Sequence, residues 1–254
     1  MSKKTIWITG GSTGIGKALA IKFASKGWNV AVSARRVELL NELCLNNKNI
    51  YPFPLDVTNI EQCKNVSNNI IDKFSCIDIS VFGTGMHDPN SEKNFNLMKI
   101  REIMEVNFFG VMNCVNSIYE HFSEKKNGKI SIISSVAGYR GLPAAGAYCA
   151  SKSALTSFTE SLYFDMKRKN VEVTLISPGF IKTPMTDKNQ FPMPFLKSAE
   201  FAADKIFLGL TKKNNFEIHF PKIFTYLMKI IQILPNWLYF SAINFGNKFM
   251  KRDK

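Results

Sequence analysis

The feature that most constrains the fold is a strand, a glycine-rich turn and a helix in direct succession near the start of the chain. The β-rich run Thr5 to Thr9 enters the sequence GGSTGIG, and a helical pattern then continues to Gly27. Gly10 suits a tight turn, Gly14 lets the backbone approach a pyrophosphate, and Gly16 lets helix and strand pack closely. This order predicts a nucleotide-binding loop with the helix N-terminus facing the anion. The spacing is G-x-x-x-G-x-G rather than the commoner G-x-G-x-x-G, and an ordinary turn is the alternative.

The same alternation of strands and helices runs along the rest of the chain. Helical patterns separate the predicted strands, and the longest pattern runs from Leu97 to Ser123. Such alternation predicts an α/β fold, a doubly wound parallel sheet, with ligands at the carboxyl ends of the strands. After the first strand, the predicted strands are Asn29 to Ala34, Tyr51 to Leu55, Ile77 to Phe82, Lys129 to Ser134 and Glu172 to Ile176.

Two strand ends carry charged residues that bear on the choice of nucleotide. The second predicted strand runs into Arg35 and Arg36, and the third into Asp56 and Val57. An acidic residue after the second strand would hold a ribose diol, whereas an arginine suits a 2′-phosphate. Arg35 therefore favours NADP over NAD, and a solvated arginine opening the next helix is the alternative. Asp56 would cap the following helix or touch an adenine amine, with the cap slightly favoured.

Tyr148 and Lys152 lie four positions apart, so a helix would place both side chains on one face, one turn apart. A free phenol has a pKa of roughly 10. A nearby ammonium favours the phenolate and lowers that pKa. Ser135, after the fifth predicted strand, would offer a hydroxyl to the same reacting oxygen. The three residues predict a site that moves a proton on or off an alcohol or carbonyl oxygen. The alternative is a surface lysine beside a half-buried tyrosine.

Several loops and one buried polar residue complete the predicted site. Asn107 lies among apolar residues and must be hydrogen-bonded, so it is either a structural tie or a group that holds a catalytic water. The glycines of Gly83-Thr84-Gly85 would let a cofactor lie against the backbone, and His87 beyond them is expected in solvent. The loop Ser177 to Pro184 would close over a nicotinamide, and Met185 to Pro194, which includes Phe191, is interpreted as a mobile lid over the substrate.

Taken together, these residues resemble the classical short-chain dehydrogenase/reductases. The matches come in the family's order and span residues from about 5 to 185: Thr9 to Gly16, Asp56-Val57, Asn107, Ser134 to Gly138, Tyr148 to Lys152 and Ser177-Pro178-Gly179. Arg35 stands where this family sets its preference for NADP, one residue after Ala34. One departure is Phe82-Gly83-Thr84-Gly85, where the family has Asn-Asn-Ala-Gly and only Gly85 matches.

The resemblance implies an NAD(P)-dependent oxidoreductase with a Rossmann fold. Tyr148 would be the general acid/base, Lys152 would hold the nicotinamide ribose and lower the pKa of Tyr148, and Ser135 would orient the substrate oxygen. Asn107 would hold a relay water. The implied cofactor-binding residues are Gly10, Ser12, Thr13, Gly14, Ile15, Gly16, Arg35, Arg36, Asp56, Val57, Gly85, Tyr148, Lys152, Pro178, Gly179, Ile181 and Thr183. A homodimer or homotetramer is also implied.

Composition adds limits on partners and compartment. The 254-residue chain has a formal net charge of +13 and five scattered cysteines. No cysteine pair has metal-ligand spacing, so we expect reduced thiols in a cytoplasmic protein and no metal site. The lysines are spread along the chain without a nucleic-acid motif. A solvated basic surface is therefore favoured over a specific polyanion site, and no nucleic-acid partner is expected.

The pattern changes near residue 216, which divides a catalytic domain, residues 1–215, from a C-terminal tail, residues 216–254, that is not an independent domain. Lys229 and Pro235-Asn236 interrupt the apolar stretch and argue against a membrane-spanning helix. Two amphipathic segments are predicted, Phe224 to Leu234 and Trp237 to Phe249. They would lie on an anionic bilayer as a peripheral membrane contact, or form a flap over an apolar substrate pocket, or pad a subunit interface.

These observations lead to an expected function. The chain would be an NADPH-linked reductase, or the reverse dehydrogenase, acting on a hydrophobic and even lipid-like ketone, aldehyde or secondary alcohol. The alternative is a non-catalytic dinucleotide-binding scaffold that docks a membrane or a protein partner through its tail.

Overall fold

A seven-stranded parallel sheet forms the centre of the molecule. A computed structural model describes residues 3–88, 95–189, 192–212 and 215–250, the last five of these by backbone alone. The strands lie in the order β3-β2-β1-β4-β5-β6-β7, and every neighbouring pair is parallel. They are β1 (Thr5–Thr9), β2 (Asn29–Ser33), β3 (Ile50–Pro52), β4 (Ile79–Phe82), β5 (Lys129–Ile133), β6 (Glu172–Pro178) and β7 (Glu217–Phe220).

Helices cover both faces of the sheet. They are α1 (Gly14–Ser25), α2 (Val37–Leu45), α3 (Ile60–Phe74), α4 (Leu97–Met104), α5 (Gly110–Lys125), α6 (Gly146–Lys167), α7 (Ala199–Lys212), α8 (Lys222–Ile233) and α9 (Asn236–Met250). Because successive strand side chains point to opposite faces, Ile6 and Ile8 of β1 pack with α1, α2 and α7, while Trp7 packs with α3, α5 and α6. The predicted doubly wound parallel sheet is confirmed.

The structure adds a strand that the sequence analysis missed. Strand β7 pairs with β6, with Leu175 beside Glu217 and Pro178 beside Phe220. This strand lies inside the segment assigned to the C-terminal tail, so that segment is not wholly helical and the sheet continues past residue 215. Helices α8 and α9 follow β7 and correspond to the two predicted amphipathic segments. In the part of the chain that the structure describes, no helix is long and apolar enough to cross a membrane.

The single long helix predicted from Leu97 to Ser123 is built in three parts. A π-helical turn, Glu105–Phe109, joins α4 to α5. Such turns add one residue to an α-helix and occur often at functional sites. Here the turn carries Asn107, which is fully buried.

Two side-chain clusters attach the tail to the body of the molecule. The carboxylate of Glu217 accepts hydrogen bonds from Tyr139 at 2.6 Å and Ser177 at 2.7 Å, and it pairs with Lys229 of α8. The guanidinium of Arg140 donates to the carbonyls at the C-terminal end of α8, Ile231, Gln232 and Leu234, at 2.6 to 3.2 Å. These contacts satisfy carbonyl groups that a helix end otherwise leaves without partners.

Candidate active site

The cleft lies where the carboxyl ends of the sheet strands meet the glycine turn. Strands β1 and β4 are neighbours in the sheet but are separated in the chain by β2 and β3, and ligands bind at such a switch point. The cavity has a volume of about 310 Å³. It is lined by every residue expected to bind cofactor, from Gly10 to Thr183, and by Ser135. Asn107 is the one predicted site residue that does not line it.

The glycine turn has a shape that side chains would not allow. Gly10 and Gly14 have positive φ angles of 70° and 56°. A Cβ on Gly16 would lie 2.3 Å from the carbonyl oxygen of Gly10, so only glycine lets α1 pack against the turn this closely. Helix α1 begins at Gly14, and its free N–H groups form an anion site at the edge of the cleft.

Two arginines stand at one end of the cleft. Arg36 donates to the hydroxyl of Ser12 at 3.2 Å and to that of Thr13 at 3.1 Å, which joins the end of β2 to the glycine turn. Arg35 and Arg36 are both exposed, and both line the cleft. Neither guanidinium forms an ion pair with any carboxylate among the described residues. Their charge is therefore available to an anionic ligand.

Asp56 lines the cleft beside Val57 but does not cap a helix. Its carboxylate accepts from the backbone N–H of Thr58 at 3.0 Å and from the Thr58 hydroxyl at 2.8 Å. Asn59 caps α3 instead, since its side chain accepts from Gln62 at 3.0 Å. The favoured interpretation of Asp56 as the cap is therefore wrong, because α3 begins three residues later than a cap at Asp56 would require.

Ser135, Tyr148 and Lys152 meet at the mouth of the cleft. Tyr148 and Lys152 lie one turn apart on α6, as predicted, and Ser135 follows β5. The Ser135 hydroxyl is close enough to the phenol of Tyr148 to act on its pKa, in the lowering direction. The Lys152 ammonium is buried, donates to the carbonyl of Ile133 at 2.9 Å and lies 5.8 Å from the centre of the Tyr148 ring.

Burial dominates the acidity of both ionisable groups. It raises the pKa of Tyr148 to about 12, although the Ser135 hydroxyl acts in the opposite direction. It also lowers the pKa of Lys152 to about 8. The expected lowering of the Tyr148 pKa by Lys152 is therefore not what this arrangement gives. The reason is that loss of water around the phenol disfavours the phenolate and is the largest influence on the Tyr148 pKa. Tyr148 is a protonated phenol at neutral pH.

Asn107 uses its side-chain amide as a structural tie. It accepts from the backbone N–H of Met86 at 2.7 Å, and it donates to the Met86 carbonyl at 2.9 Å and to Ser151 at 3.0 Å. Ser151 in turn donates to the carbonyl of Tyr148 at 2.7 Å. Asn107 thus connects the loop after β4 to the helix that carries Tyr148.

The loop after β4 holds a residue that the sequence analysis placed in solvent. His87 is half-buried, and its ring centre lies 5.0 Å from that of Tyr148. Its position follows from the two hydrogen bonds between its neighbour Met86 and Asn107, which the sequence does not reveal. Lining residues to which the sequence analysis gave no role include Ala34, Leu55, Val106 and Ile133.

The loop after β6 forms the opposite wall of the cleft. A Cβ on Gly14 would lie 2.9 Å from the Thr183 side chain, so this loop lies directly over the glycine turn. A short helical turn, Thr186–Lys188, continues it. Gln190 and Phe191, in the segment interpreted as a lid, lie outside the described residues, so the lid stays a prediction.

A parallel sheet with a glycine-lined cleft at its switch point, and a Ser, a Tyr and a Lys at the mouth, defines a dinucleotide-dependent oxidoreductase. The chain belongs to the short chain dehydrogenase family, whose model matches residues 4–192. It is an oxidoreductase that acts on CH–OH groups. The resemblance stated from the sequence motifs is confirmed.

Curated relatives cover most of the chain. An uncharacterized oxidoreductase of Myxococcus xanthus is 31% identical over 95% of this chain and 97% of its own length. The 3-oxoacyl-(acyl-carrier-protein) reductase FabG of Thermotoga maritima is 31% identical over 81% of this chain and 83% of its own length.

Solved structures share the same architecture. The structure of ElxO with NADP bound is 26% identical, with a TM-score of 0.77 over 85% of this chain and 97% of that chain. A short chain dehydrogenase from Burkholderia cenocepacia, solved in complex with NADP, is 20% identical, with a TM-score of 0.83 over 95% of this chain and 98% of that chain. At that identity the second likeness shows the fold alone.

Proposed function

We propose that the protein is an NADPH-dependent carbonyl reductase in which Tyr148 gives a proton to the substrate oxygen. The observation that carries this proposal is the half-buried Tyr148 side chain, which lines the cleft together with Ser135 and Lys152 and whose pKa is raised to about 12 by loss of water around the phenol. A phenol that stays protonated at neutral pH is ready to donate, which is what reduction of a ketone or aldehyde requires.

The residues present fit a dinucleotide. The glycine turn forms a cradle that a Cβ would fill, and the N-terminus of α1 faces it, as a pyrophosphate requires. When bound, the nicotinamide would supply the hydride. Lys152 would hold its ribose, and the loop from Pro178 to Thr183 would hold its ring. Arg35 and Arg36 support NADP over NAD, because a 2′-phosphate can pair with an exposed guanidinium. The NADP bound to ElxO supports the same preference.

The chain's own residues account for the proton. Ser135 would hold the substrate oxygen, and Tyr148 would transfer its proton to that oxygen as the carbon accepts hydride. The reverse reaction would use the same residues, with Tyr148 taking the proton from an alcohol. Lys152, with a pKa lowered to about 8, would carry a positive charge at neutral pH and stabilise the phenolate that Tyr148 becomes.

We further propose a hydrophobic substrate and a homo-oligomer in a reducing, cytoplasmic setting. Val136 and Leu142, which flank the Ser135 loop, join an apolar cluster with Phe180 beside the cleft. The name of the Thermotoga maritima relative, an acyl-chain reductase, supports an apolar substrate of this kind. All five cysteines lie in the part of the chain that the structure describes, and none of them forms a disulfide.

The experiment is NADPH oxidation with aldehydes and ketones of increasing apolar length, for the wild type, Tyr148→Phe and Tyr163→Phe. Tyr163 lies on the same helix but does not line the cleft. We expect Tyr148→Phe to lose at least about a hundredfold in turnover, to keep NADPH binding, and Tyr163→Phe to behave as the wild type. Near-normal turnover in Tyr148→Phe would refute the mechanism.

The second candidate is a non-catalytic dinucleotide-binding scaffold. It is favoured by the sequence Phe82-Gly83-Thr84-Gly85, in which Phe82 is fully buried against Trp7 where the family pattern has an amide. NADPH binding by the wild type without oxidation of NADPH by any carbonyl in the series would support it.

A further inference from the structure

Helices α8 and α9 present an apolar surface to solvent. We call it the tail face and define it as Ile223, Tyr226, Leu227, Ile230, Ile233 and Trp237. These side chains are strongly exposed, with 81% of Ile233, 73% of Ile223 and 71% of Trp237 accessible. The first five are spaced three and four apart along α8, which places them on one side of that helix, and Trp237 lies at the start of α9. An exposed apolar surface of this kind marks an interaction site.

The tail face is not the side of α8 that folds the protein. The opposite side of the helix buries Phe224, Thr225 and Met228. Helix α8 is thus apolar on two sides, and packing within the described chain accounts for one of them only. The other side stays largely exposed within the described residues and is free to meet a further surface.

The charge around the tail face selects the partner. From Ile218 to Arg252 the sequence contains no Asp or Glu and five Lys or Arg. Lys222 is exposed at the start of α8, and Lys248, Lys251 and Arg252 follow the apolar part of α9 in the sequence. Apolar and aromatic side chains between cations, without acids, are the chemistry that binds an anionic lipid surface. The same stretch of a second copy offers no carboxylate between Ile218 and Arg252 to pair with these cations, so a homo-oligomer would have to form through another face.

The structure holds the tail face in place on the body of the protein. Arg140 donates to three carbonyls at the end of α8, and its guanidinium lies 3.9 Å from the centre of the Tyr239 ring. Tyr239 of α9 donates to the carbonyl of Gly141, and Lys229 of α8 pairs with Glu217. The face is therefore formed before any partner arrives, which lowers the entropy cost of docking.

The same helices contact two loops that also carry residues of the cleft lining. The ring of Phe224 stacks on Phe180 at 5.5 Å between centres and lies 5.9 Å from Phe195, both in the segment after β6. Tyr239 is bonded to Gly141, in the loop between Ser135 and Tyr148. The tail is consequently packed on the two loops that lead from its helices to the cleft.

We infer that the tail face docks on an anionic membrane surface and that the enzyme takes its carbonyl substrate from the lipid phase. The second part rests on the proposed reductase function and narrows its substrate class to lipid-like ketones or aldehydes. The docking itself depends only on the tail face and its surrounding charge.

The test is flotation of the full-length protein with vesicles of phosphatidylcholine alone or with phosphatidylglycerol added. Three proteins are compared: the wild type, the double variant Ile230→Glu and Ile233→Glu, and Leu45→Glu. Leu45 is 86% exposed on α2, away from the tail, so it is a matched control for adding a carboxylate to an exposed apolar site. We expect the wild type and Leu45→Glu to float with the anionic vesicles and the double variant to lose at least about tenfold in bound fraction.

The outcomes separate the two parts of the inference. No flotation of the wild type, or equal flotation of the double variant, overturns the docking. So does a wild-type dimer that the double variant breaks, because the face then joins two copies. Reduction of a short water-soluble aldehyde, measured on the same samples, reports the proposed function independently. Docking without faster turnover of a vesicle-embedded ketone overturns the lipid substrate alone.

Discussion

The ammonium of Lys152 lies 5.8 Å from the centre of the Tyr148 ring and donates to the carbonyl of Ile133 at 2.9 Å. Both side chains are on the same face of α6, one turn apart. Burial raises the pKa of the phenol and lowers that of the ammonium. At pH 7 the Tyr148 phenol is therefore neutral and the Lys152 side chain is positively charged. Because that charge is buried, it lowers the stability of the fold.

The charge on Lys152 predicts a pH-dependent difference between the wild type and Lys152→Met. The pKa of Lys152 is about 8 in the folded protein against an ordinary value of 10.5. Between these values the unfolded chain binds more protons, so the free energy of unfolding of the wild type rises with pH. Burying the charged Lys152 lowers the free energy of unfolding by about 3 kcal/mol below pH 8. This destabilisation falls to zero near pH 10.5, and it is absent from Lys152→Met because methionine has no charge. Urea unfolding at pH 7.5 and 9.5 measures the difference.

We expect Lys152→Met to gain stability relative to the wild type at pH 7.5 and to lose part of that advantage at pH 9.5. The exposed Lys48→Met serves as the control and should show the same small difference at both values. A difference for Lys152→Met that is independent of pH would contradict the shifted pKa.

The exposed guanidinium at the end of β2 predicts how coenzyme choice changes in Arg35→Ala. Loss of one charged hydrogen bond to a 2′-phosphate removes roughly 1.5 kcal/mol, or about tenfold in affinity. We expect the KM for NADPH to rise by that factor while the KM for NADH stays unchanged. Arg101→Ala, on α4 and away from the cleft, should alter neither constant. Equal increases for both coenzymes would show that Arg35 acts on the fold rather than on the phosphate.

The contact between the glycine turn and α1 predicts a stability loss in Gly16→Ala. The new Cβ would stand 2.3 Å from the Gly10 carbonyl, so the turn or the helix must shift, at a cost of roughly 1–3 kcal/mol. Nothing lies within 4 Å of a Cβ on Gly141, and Gly141→Ala should be nearly neutral. Thermal unfolding and NADPH binding are the measurements. Unchanged NADPH binding in Gly16→Ala would argue against a role for this turn in holding the nucleotide.

The bonds of Arg140 predict that Arg140→Ala loosens the tail without unfolding the sheet. Three carbonyls at the end of α8 and the amide oxygen of Asn236 lose their donor. We expect faster hydrogen exchange and proteolysis around Pro235, with about 1–3 kcal/mol lost from local stability. Arg168→Ala removes a largely exposed pair with Asp165 and should change little. Protection near Pro235 equal to that of the wild type would mean that Phe224 and Glu217 hold the tail alone.

Local spacing made much of the site predictable. The glycine turn follows from three glycines between a strand and a helix. The position of Tyr148 above Lys152 follows from the pitch of one helix. In each case the residues that meet are within about a dozen positions of one another, so the backbone geometry of a single unit decides the contact.

Contacts between distant residues were not predictable. Strand β7 depends on Glu217 finding Tyr139, which is 78 positions earlier, and Lys229, which is 12 positions later. The sequence of β7 is Glu-Ile-His-Phe, and a short run with a glutamate and a histidine does not by itself predict a buried strand. His87 likewise depends on Asn107, whose amide binds the neighbouring Met86. In both cases polar groups become buried because tertiary partners satisfy them, and no local pattern reports a partner.

The π-helical turn from Glu105 to Phe109 means that the segment formed by α4 and α5 does not tolerate the loss of a single residue. Each residue advances an α-helix by about 100° around its axis. Deleting one residue would let the chain close into an unbroken α-helix, but it would rotate one half against the other by that angle. Either Asn107 would swing away from Met86, or Val111 and Ile118 would leave the sheet. The additional residue of the π-helical turn thus lets one continuous helical segment direct Asn107 toward α6 and direct Val111 and Ile118 into the core.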